Sequence, residues 1–343
     1  MMPLTEIDRL KQTVSEDWES AVADQVAAAW GHPSGTARWW RSSASHVFVL
    51  PGDGARRYLR FVPDSYRGPA HVAAVAELMA RLHDAGAAVV RPVPAASGAL
   101  TVTVPTGLGL MHAMVLEPAA GEEIDVTDLT ERRARHWGRA LARLHDDSAG
   151  LGAGLPTAFG ELADVPALFA GDHALVEAVA QLTERLDRLP RDGDRWGVVH
   201  GDFELDNMAW SGDDSTAYDF DEAALSWYGA DIAYALRDLT GPTGRPSPEQ
   251  RPHYEAFLAG YRSVRPLADE DIAHLPLFAG LNAAASLVRL GRALADPAAV
   301  PNEPQWLAQL RADLAEMTGA HRALVLATAR YCASAPGMRL ASS

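Results

Sequence analysis

The chain has 343 residues, 48% of them hydrophobic and 22% charged, a length that allows two lobes with sizeable cores and a balance ordinary for a soluble globular protein. A formal net charge of −15 argues against nucleic acid and anionic membrane as partners and favours cationic ligands. No apolar run reaches a membrane span, the opening Met1-Met2-Pro3-Leu4-Thr5-Glu6 lacks the basic and apolar segments of a secretory leader, and Cys332 as the only cysteine excludes an internal disulfide, so a cytoplasmic protein is expected.

Residues 5–30 read as one helix, with Ile7, Leu10, Val14, Trp18, Ala21, Val22 and Val26 near helical spacing and Gly31-His32-Pro33 as its stop. Three strands are expected at 38–41, 46–50 and 57–62, the last two joined by Pro51-Gly52-Asp53-Gly54. The first two are joined by Ser42-Ser43-Ala44-Ser45, which has no glycine. A helix over about 69–85 has a buried stripe of Val72, Val75, Ala76, Met79 and Leu82, and Gly86 ends it. Extended chain at 89–94, a Ser97-Gly98 turn and strands at 99–104 and 110–116 complete a five-stranded antiparallel sheet. From Glu117-Pro118-Ala119 onward the strand pattern is lost, which divides the chain into lobes of residues 1–117 and 118–343.

Asp128-Leu129-Thr130-Glu131 has capping-box spacing, and Ala134, Trp137, Leu141 and Leu144 follow on one face up to His145, read as structural. A loop is expected at 146–170 and a helix at 172–189. Val198-Val199 then leads as a strand into His200-Gly201-Asp202-Phe203-Glu204-Leu205-Asp206-Asn207. Met208-Ala209-Trp210 leaves that segment, Gly212-Asp213-Asp214 turns, and Thr216-Ala217-Tyr218 returns antiparallel, bringing Asp219-Phe220-Asp221 back beside Asn207. Further helices are expected near 248–264, 270–294 and 303–332, with Tyr254, Phe257, Tyr261, Phe278 and Trp306 as core. Two carboxylates and an amide in this order suit phosphoryl transfer from a metal-bound nucleotide, which needs a carboxylate by the attacking hydroxyl and oxygen ligands for the cation. No G-x-x-x-x-G-K-[ST], no G-x-G-x-x-G opening a helix and no zinc-type histidine spacing competes with it.

At these residues the chain resembles the protein-kinase-like superfamily and, within it, the aminoglycoside phosphotransferase and choline kinase branch. The signature H-R-D-x-x-x-x-N followed by D-F-G stands here as H-G-D-x-x-x-x-N followed by D-F-D. The resemblance implies an α+β, bilobal fold with a small sheet lobe and a larger helical one. It also implies transfer of the γ-phosphoryl group of ATP or GTP, with Mg2+, to a hydroxyl of a small molecule. Asp202 would orient that hydroxyl and take its proton late, and Asn207 and Asp219 would bind magnesium. Arg60 would take the place of the phosphate-pairing lysine, with Glu77 as its partner. Ser43 and Ser45 would donate to phosphate, and Leu116, Glu117, Ala119 and Met114 would meet the adenine.

His200 would hold the loop and Asp231 would accept bonds from its amides or simply cap its own helix. Asp221 would either touch metal through water or cap the next turn, with the cap preferred. Glu204, Asp206, Glu222, Asp238 and Asn282 are the candidate acceptor contacts, a carboxylate-rich set suited to an aminoglycoside or another cationic antibiotic. A Ser/Thr protein kinase of the same branch, a homoserine- or choline-type metabolite kinase and a nucleotide-binding regulator without activity are the other readings, and the oligomeric state is left open.

Overall fold

The computed structural model describes residues 1–52, 54–241, 244–295 and 303–334; Asp53, in the turn expected at 51–54, lies outside them. The sequence opens with α1 (Leu4–Lys11) and α2 (Ala21–Ala27), which ends in a 3₁₀ turn at Ala28–Trp30. The single helix expected over 5–30 is therefore broken. Thr13 Oγ1 lies 2.8 Å from Leu10 O and 2.7 Å from Ser20 Oγ, and the Ser15 hydroxyl accepts from the Glu19 amide, local bonds that compete with a continuing helix. Trp18 takes a left-handed φ of 63° and stacks on Trp39 at 5.5 Å instead of joining a helical stripe.

The small lobe is a mixed-length antiparallel sheet of β1 (Arg38–Ser42), β2 (His46–Leu50), β3 (Arg57–Pro63), β4 (Pro92–Val93), β5 (Thr101–Thr106) and β6 (Gly109–Leu116). Its order is β1-β2-β3-β6, with β4 and β5 sharing the far edge of β6. The sixth strand beyond the five expected is the two-residue β4. Alternation along the strands sorts the faces. Phe48, Leu50, Leu59, Phe61, Met111, Ala113 and Val115 pack on α1 and α2, while Val62, Met114 and Leu116 join the core beneath α3 (Pro69–Asp84).

Beyond Leu116 the chain is largely helical. α4 (Glu131–Asp147) is capped by Thr130, whose side chain accepts from the Arg133 amide; the helix starts later than the box at 128–131 implied, because Val126–Asp128 forms its own 3₁₀ turn. The segment expected as loop carries a 3₁₀ turn at Gly160–Asp164 and α5 (Val165–Leu168), followed by α6 (His173–Leu186). Two short ribbons follow: β7 (Trp196–Val199) pairs β10 (Ala224–Trp227), and β8 (Met208–Ser211) pairs β9 (Asp214–Ala217). After them come α7 (Tyr228–Ala235), α8 (Arg237–Thr240), α9 (Arg251–Arg262), α10 (Asp269–Ala273), α11 (Leu275–Leu294) and α12 (Gln305–Ser334). Pro276 explains why the helix expected over 270–294 is divided, since it has no amide to continue α10 and is well placed in the first turn of α11. Gly138 and Gly260 let α4 and α9 touch, each facing a backbone carbonyl that a side chain would strike.

The β8–β9 ribbon is stitched to the small lobe. Ala217 N donates to Ala88 O at 2.8 Å and Val90 N to Ala217 O at 3.1 Å, just before β4.

Candidate active site

Each part of the site is held by backbone. β7 and β10 pair with Val199 opposite Ala224, which fixes both ends of residues 200–223. The β8–β9 ribbon brings the chain back, and Tyr218 N donates to Asn207 O at 3.0 Å, so Asp219 arrives beside Asn207. Gly201 has φ 82°, and a Cβ there would collide with the Glu222 carbonyl, so an arginine could not occupy this position without displacing that segment.

Asp231 is the keystone of the loop. Its buried carboxylate accepts from His200 N at 2.8 Å and Gly201 N at 2.9 Å, and lies 3.0 Å from His145 Nε2. His145 Nδ1 is 2.8 Å from the Tyr261 hydroxyl. Burial holds the His145 imidazole below its ordinary pKa, against the pull of Asp231. The neutral ring can thus donate from Nε2 and accept at Nδ1. His200 is buried between Phe203 and Phe220, with Nε2 3.0 Å from Tyr218 O and Nδ1 accepting from Asp202 N at 3.3 Å. His200 positions backbone directly, and His145 does so through Asp231.

Asp202, Asn207 and Asp219 line one cleft of about 520 Å³. Asn207 Nδ2 donates to Asp202 Oδ2 and to Asp202 O, both at 2.9 Å. Asp202 Oδ1 is buried and has no close hydrogen-bond donor among the described residues, although the Tyr234 hydroxyl also favours the charge of this carboxylate. Arg237 Nη1 stands 3.6 Å from it, equally without a hydrogen-bond acceptor. Burial pushes the Asp202 carboxyl above its ordinary value, against Arg237 and His200, which favour its charge. For Asp219, burial also disfavours the charge, but Arg60 and then Arg41 outweigh it and hold the carboxyl below the usual range. Asp219 Oδ1 accepts from Arg60 at 2.7 Å and Oδ2 from Arg41 at 3.0 Å, with Asp219 in the left-handed region at φ 64°.

The donor set fits a divalent cation. A carboxylate and an amide oxygen are hard ligands, and the two guanidinium groups on Asp219 already occupy the place of positive charge. Arg41, whose side chain is 49% exposed, is the one free to move aside.

Several expected pairings differ. Arg60 meets Asp219 and Asp221, each at 2.7 Å, and not Glu77. Glu77 lies on the exposed line of α3 and pairs with Arg81 at 2.7 Å, because the stripe that buries Ala76 and Met79 turns it outward. Asp221 uses its carboxylate on Arg60, not as a cap. Glu222 binds Arg67 at 2.5 Å and Arg289 at 3.2 Å, and Glu204 is ion-paired with Arg237, which also lies 3.7 Å from Asp238. These carboxylates are neutralised by arginine. Asn282 lines the cleft but its Nδ2 donates to Ala230 O at 2.9 Å. Asp206 also lines the cleft, and among the described residues it makes no ion pair.

On the nucleotide side, Ser43 lines the cleft, whereas Ser45 and Met114 line a separate pocket of about 20 Å³ with Arg60. Leu116, Glu117 and Ala119 follow at the end of β6, and the Glu117 amide already donates to Arg91 O at 2.9 Å, so it is not free for an adenine edge. Sequence reasoning missed Arg41, Tyr234, Arg237 and Arg289 in the cleft and Arg67 behind it. Only Arg41 carried a signal, as a cation directly before a glycine-free loop.

Among the described residues no helix is long and apolar enough to cross a membrane. Three similarities bear on this arrangement. Amicoumacin kinase of Bacillus subtilis (strain 168) is 24% identical over 252 residues, covering 71% of this chain and 75% of that protein. The structure of amicoumacin kinase hAmiN in complex with AMP-PNP, Ca2+ and Ami superposes with a TM-score of 0.75 at 18% identity, over 93% of this chain and 95% of that one. The structure of a microcompartment-associated aminopropanol kinase superposes with a TM-score of 0.69 at 22% identity, over 92% and 98%. Residues 35–267 match the family described as "Phosphotransferase enzyme family" (APH), and on that match, with its bilobal kinase-like fold, the chain belongs to the small-molecule kinases of this family.

Proposed function

We propose that the protein transfers the γ-phosphoryl group of ATP or GTP, with magnesium, to a hydroxyl of a small amine-bearing alcohol, using lobes of residues 1–117 and 118–343. The observation that carries this reading is Asp202 Oδ1, a buried acceptor faced by Arg237 at 3.6 Å and left without a close donor while Asn207 occupies Oδ2. A buried acceptor of this kind is costly unless something donates to it, and an incoming hydroxyl is the donor the reaction requires. Asp202 orients that hydroxyl and receives its proton as the oxygen gains a bond to phosphorus. Asn207 and Asp219 would hold magnesium, which, when bound, supplies positive charge to the phosphate oxygens. Arg60 holds the Asp219 carboxylate ionised, and Asp231 and His200 hold the loop.

The acceptor side of the cleft is walled by α11 and α12 through Asn282, Ser286, Leu314, Met317 and Leu324. That enclosure suits a small molecule better than a folded protein. Asp206 and Glu123 border it, and burial first, then the charges of Asp238 and Glu123, push the Asp206 carboxyl up. An ammonium group on the acceptor would relieve it. The relatives named for amicoumacin and aminopropanol agree with such an acceptor, antibiotic or metabolite. The cytoplasm, which holds nucleotide and magnesium, is the compartment this chemistry needs.

Mass spectrometry of a panel of aminoglycosides, amino alcohols, homoserine and neutral sugars incubated with Mg-ATP or Mg-GTP tests the reading. One phosphoryl group gained by an amine-bearing alcohol is the expected result. Labelling of protein alone, or nucleotide binding without turnover of any acceptor, would set it aside.

A further inference from the structure

The segment that should close over the triphosphate contains no glycine, yet the strand before it delivers a cation. β1 and β2 pair regularly at Arg38↔Val49 and Trp39↔Phe48, then shift by one, so that Arg41 and not Trp40 lies opposite Val47. Trp40 is the extra residue and is 59% exposed. A bulge of this kind re-aims the next side chain to the other face. Without it Arg41 would share a face with Trp39; with it, Arg41 joins the row Arg41↔Val47↔Arg60↔Met114 that crosses three neighbouring strand pairs. Residues in one row point the same way, and two strand spacings separate Arg41 from Arg60 by about 10 Å at the backbone. Both guanidinium groups reach one carboxylate, Arg60 on Asp219 Oδ1 and Arg41 on Asp219 Oδ2.

The two differ in freedom. Arg60 is 9% exposed at its side chain and is also bound to Asp221, whereas Arg41 is 49% exposed and lines the catalytic cleft beside Ser43. We infer that Arg41 is a phosphate-binding residue that exchanges partners: it neutralises Asp219 in the nucleotide-free protein and would pass to a phosphate oxygen of bound Mg-nucleotide, whose cation would replace it as the neutralising charge beside Asp219. The exchange forms and breaks only ionic hydrogen bonds. It gives the glycine-free loop a substitute for backbone amides, since a guanidinium offers two parallel donors to phosphate oxygens. The inference rests on the phosphotransferase reading above.

Equilibrium titration of the full chain and of Arg41→Gln and Arg41→Lys tests it, with Mg-AMP-PNP, adenosine and Mn2+ alone as the probes. In Arg41→Gln, Mg-AMP-PNP should bind about tenfold or more weakly, as loss of a charge-assisted phosphate contact requires, while adenosine affinity stays unchanged. Mn2+ alone should bind the same variant more tightly than the unaltered protein, because its competitor at Asp219 is gone. Arg41→Lys should fall between. Opposite shifts for nucleotide and metal would not arise from a merely structural role. Equal Mg-AMP-PNP affinity in Arg41→Gln, an equal loss for adenosine, or unchanged Mn2+ binding would each overturn the exchange. If the unaltered protein binds no Mg-AMP-PNP, the phosphotransferase reading itself falls, and the exchange with it.

Discussion

Arg60 Nη2 lies 2.7 Å from Asp219 Oδ1, joining the small-lobe sheet to a residue 159 positions later, and the same nitrogen is 2.7 Å from Asp221 Oδ2. One buried cation thus holds together two carboxylates that would otherwise repel. Arg60→Met should cost about 3–5 kcal/mol of stability, the usual penalty for stranding buried charge, and Arg60→Lys should recover part of it, because an ammonium is a point charge without the guanidinium fork. Urea unfolding measures both. Glu77→Ala is the contrast: its pair with Arg81 is exposed, so the change should stay within about 1 kcal/mol and leave nucleotide affinity unaltered.

Asp202→Asn keeps the shape of the side chain and removes its ability to take a proton. kcat should fall about 10²–10⁴-fold, while calorimetric affinity for Mg-AMP-PNP changes little. A variant retaining most of its kcat would show that Asp202 does not serve the acceptor hydroxyl.

The acid limb of activity should follow Asp202. Its carboxyl sits above the ordinary carboxylate value because burial disfavours the charge, and Arg237 is the chief opposing influence. Activity requires the ionised form, so kcat/KM should fall as pH drops through a value higher than about 3.9, that of an unperturbed aspartate. Removing Arg237 removes the opposition. In Arg237→Met the limb should move to still higher pH in a pH–rate profile; a shift to lower pH would contradict the electrostatic assignment.

Glu222 carries the opposite sign. Burial resists its charge, but Arg289 and Arg67 more than compensate and hold the folded carboxyl below its usual value. A group depressed on folding stabilises above its unfolded pKa, about 4.3, and that contribution is lost as pH falls through the folded value. Glu222→Gln should therefore be less stable than the natural chain at pH 7 by about 3–5 kcal/mol, with the gap narrowing below pH ~4. Denaturant titrations at several pH values give the comparison.

The residues that could be read in advance are those whose neighbours in space are neighbours in sequence. The segment 200–207, its ribbon and Asp219 form one continuous hairpin, and a turn at Gly212-Asp213 suffices to align them. Helices with full apolar stripes, such as α3 and α4, were legible for the same reason. Contacts across the cleft were not. Asp221 reaches Arg60, and Glu222 reaches Arg67 and Arg289, through the packing of both lobes, which no local pattern encodes. Glu77 was misassigned although its own helix held the answer, since the exposed line Ala73, Glu77 and Arg81 faces away from β3. The opening helix breaks where local bonds of Thr13 and Ser15 outweigh the apolar spacing and Trp18 turns to Trp39, a partner on another element.

The stitching of Ala217 to Ala88 and Val90 hangs the ribbon that carries Asp219 on the edge of the sheet. Asp219 is therefore held from both sides, by Arg60 on the sheet and by the Tyr218–Asn207 bond on the loop that Asp231 anchors. Loosening either hold would disturb the spacing of the two acids, Asp202 and Asp219.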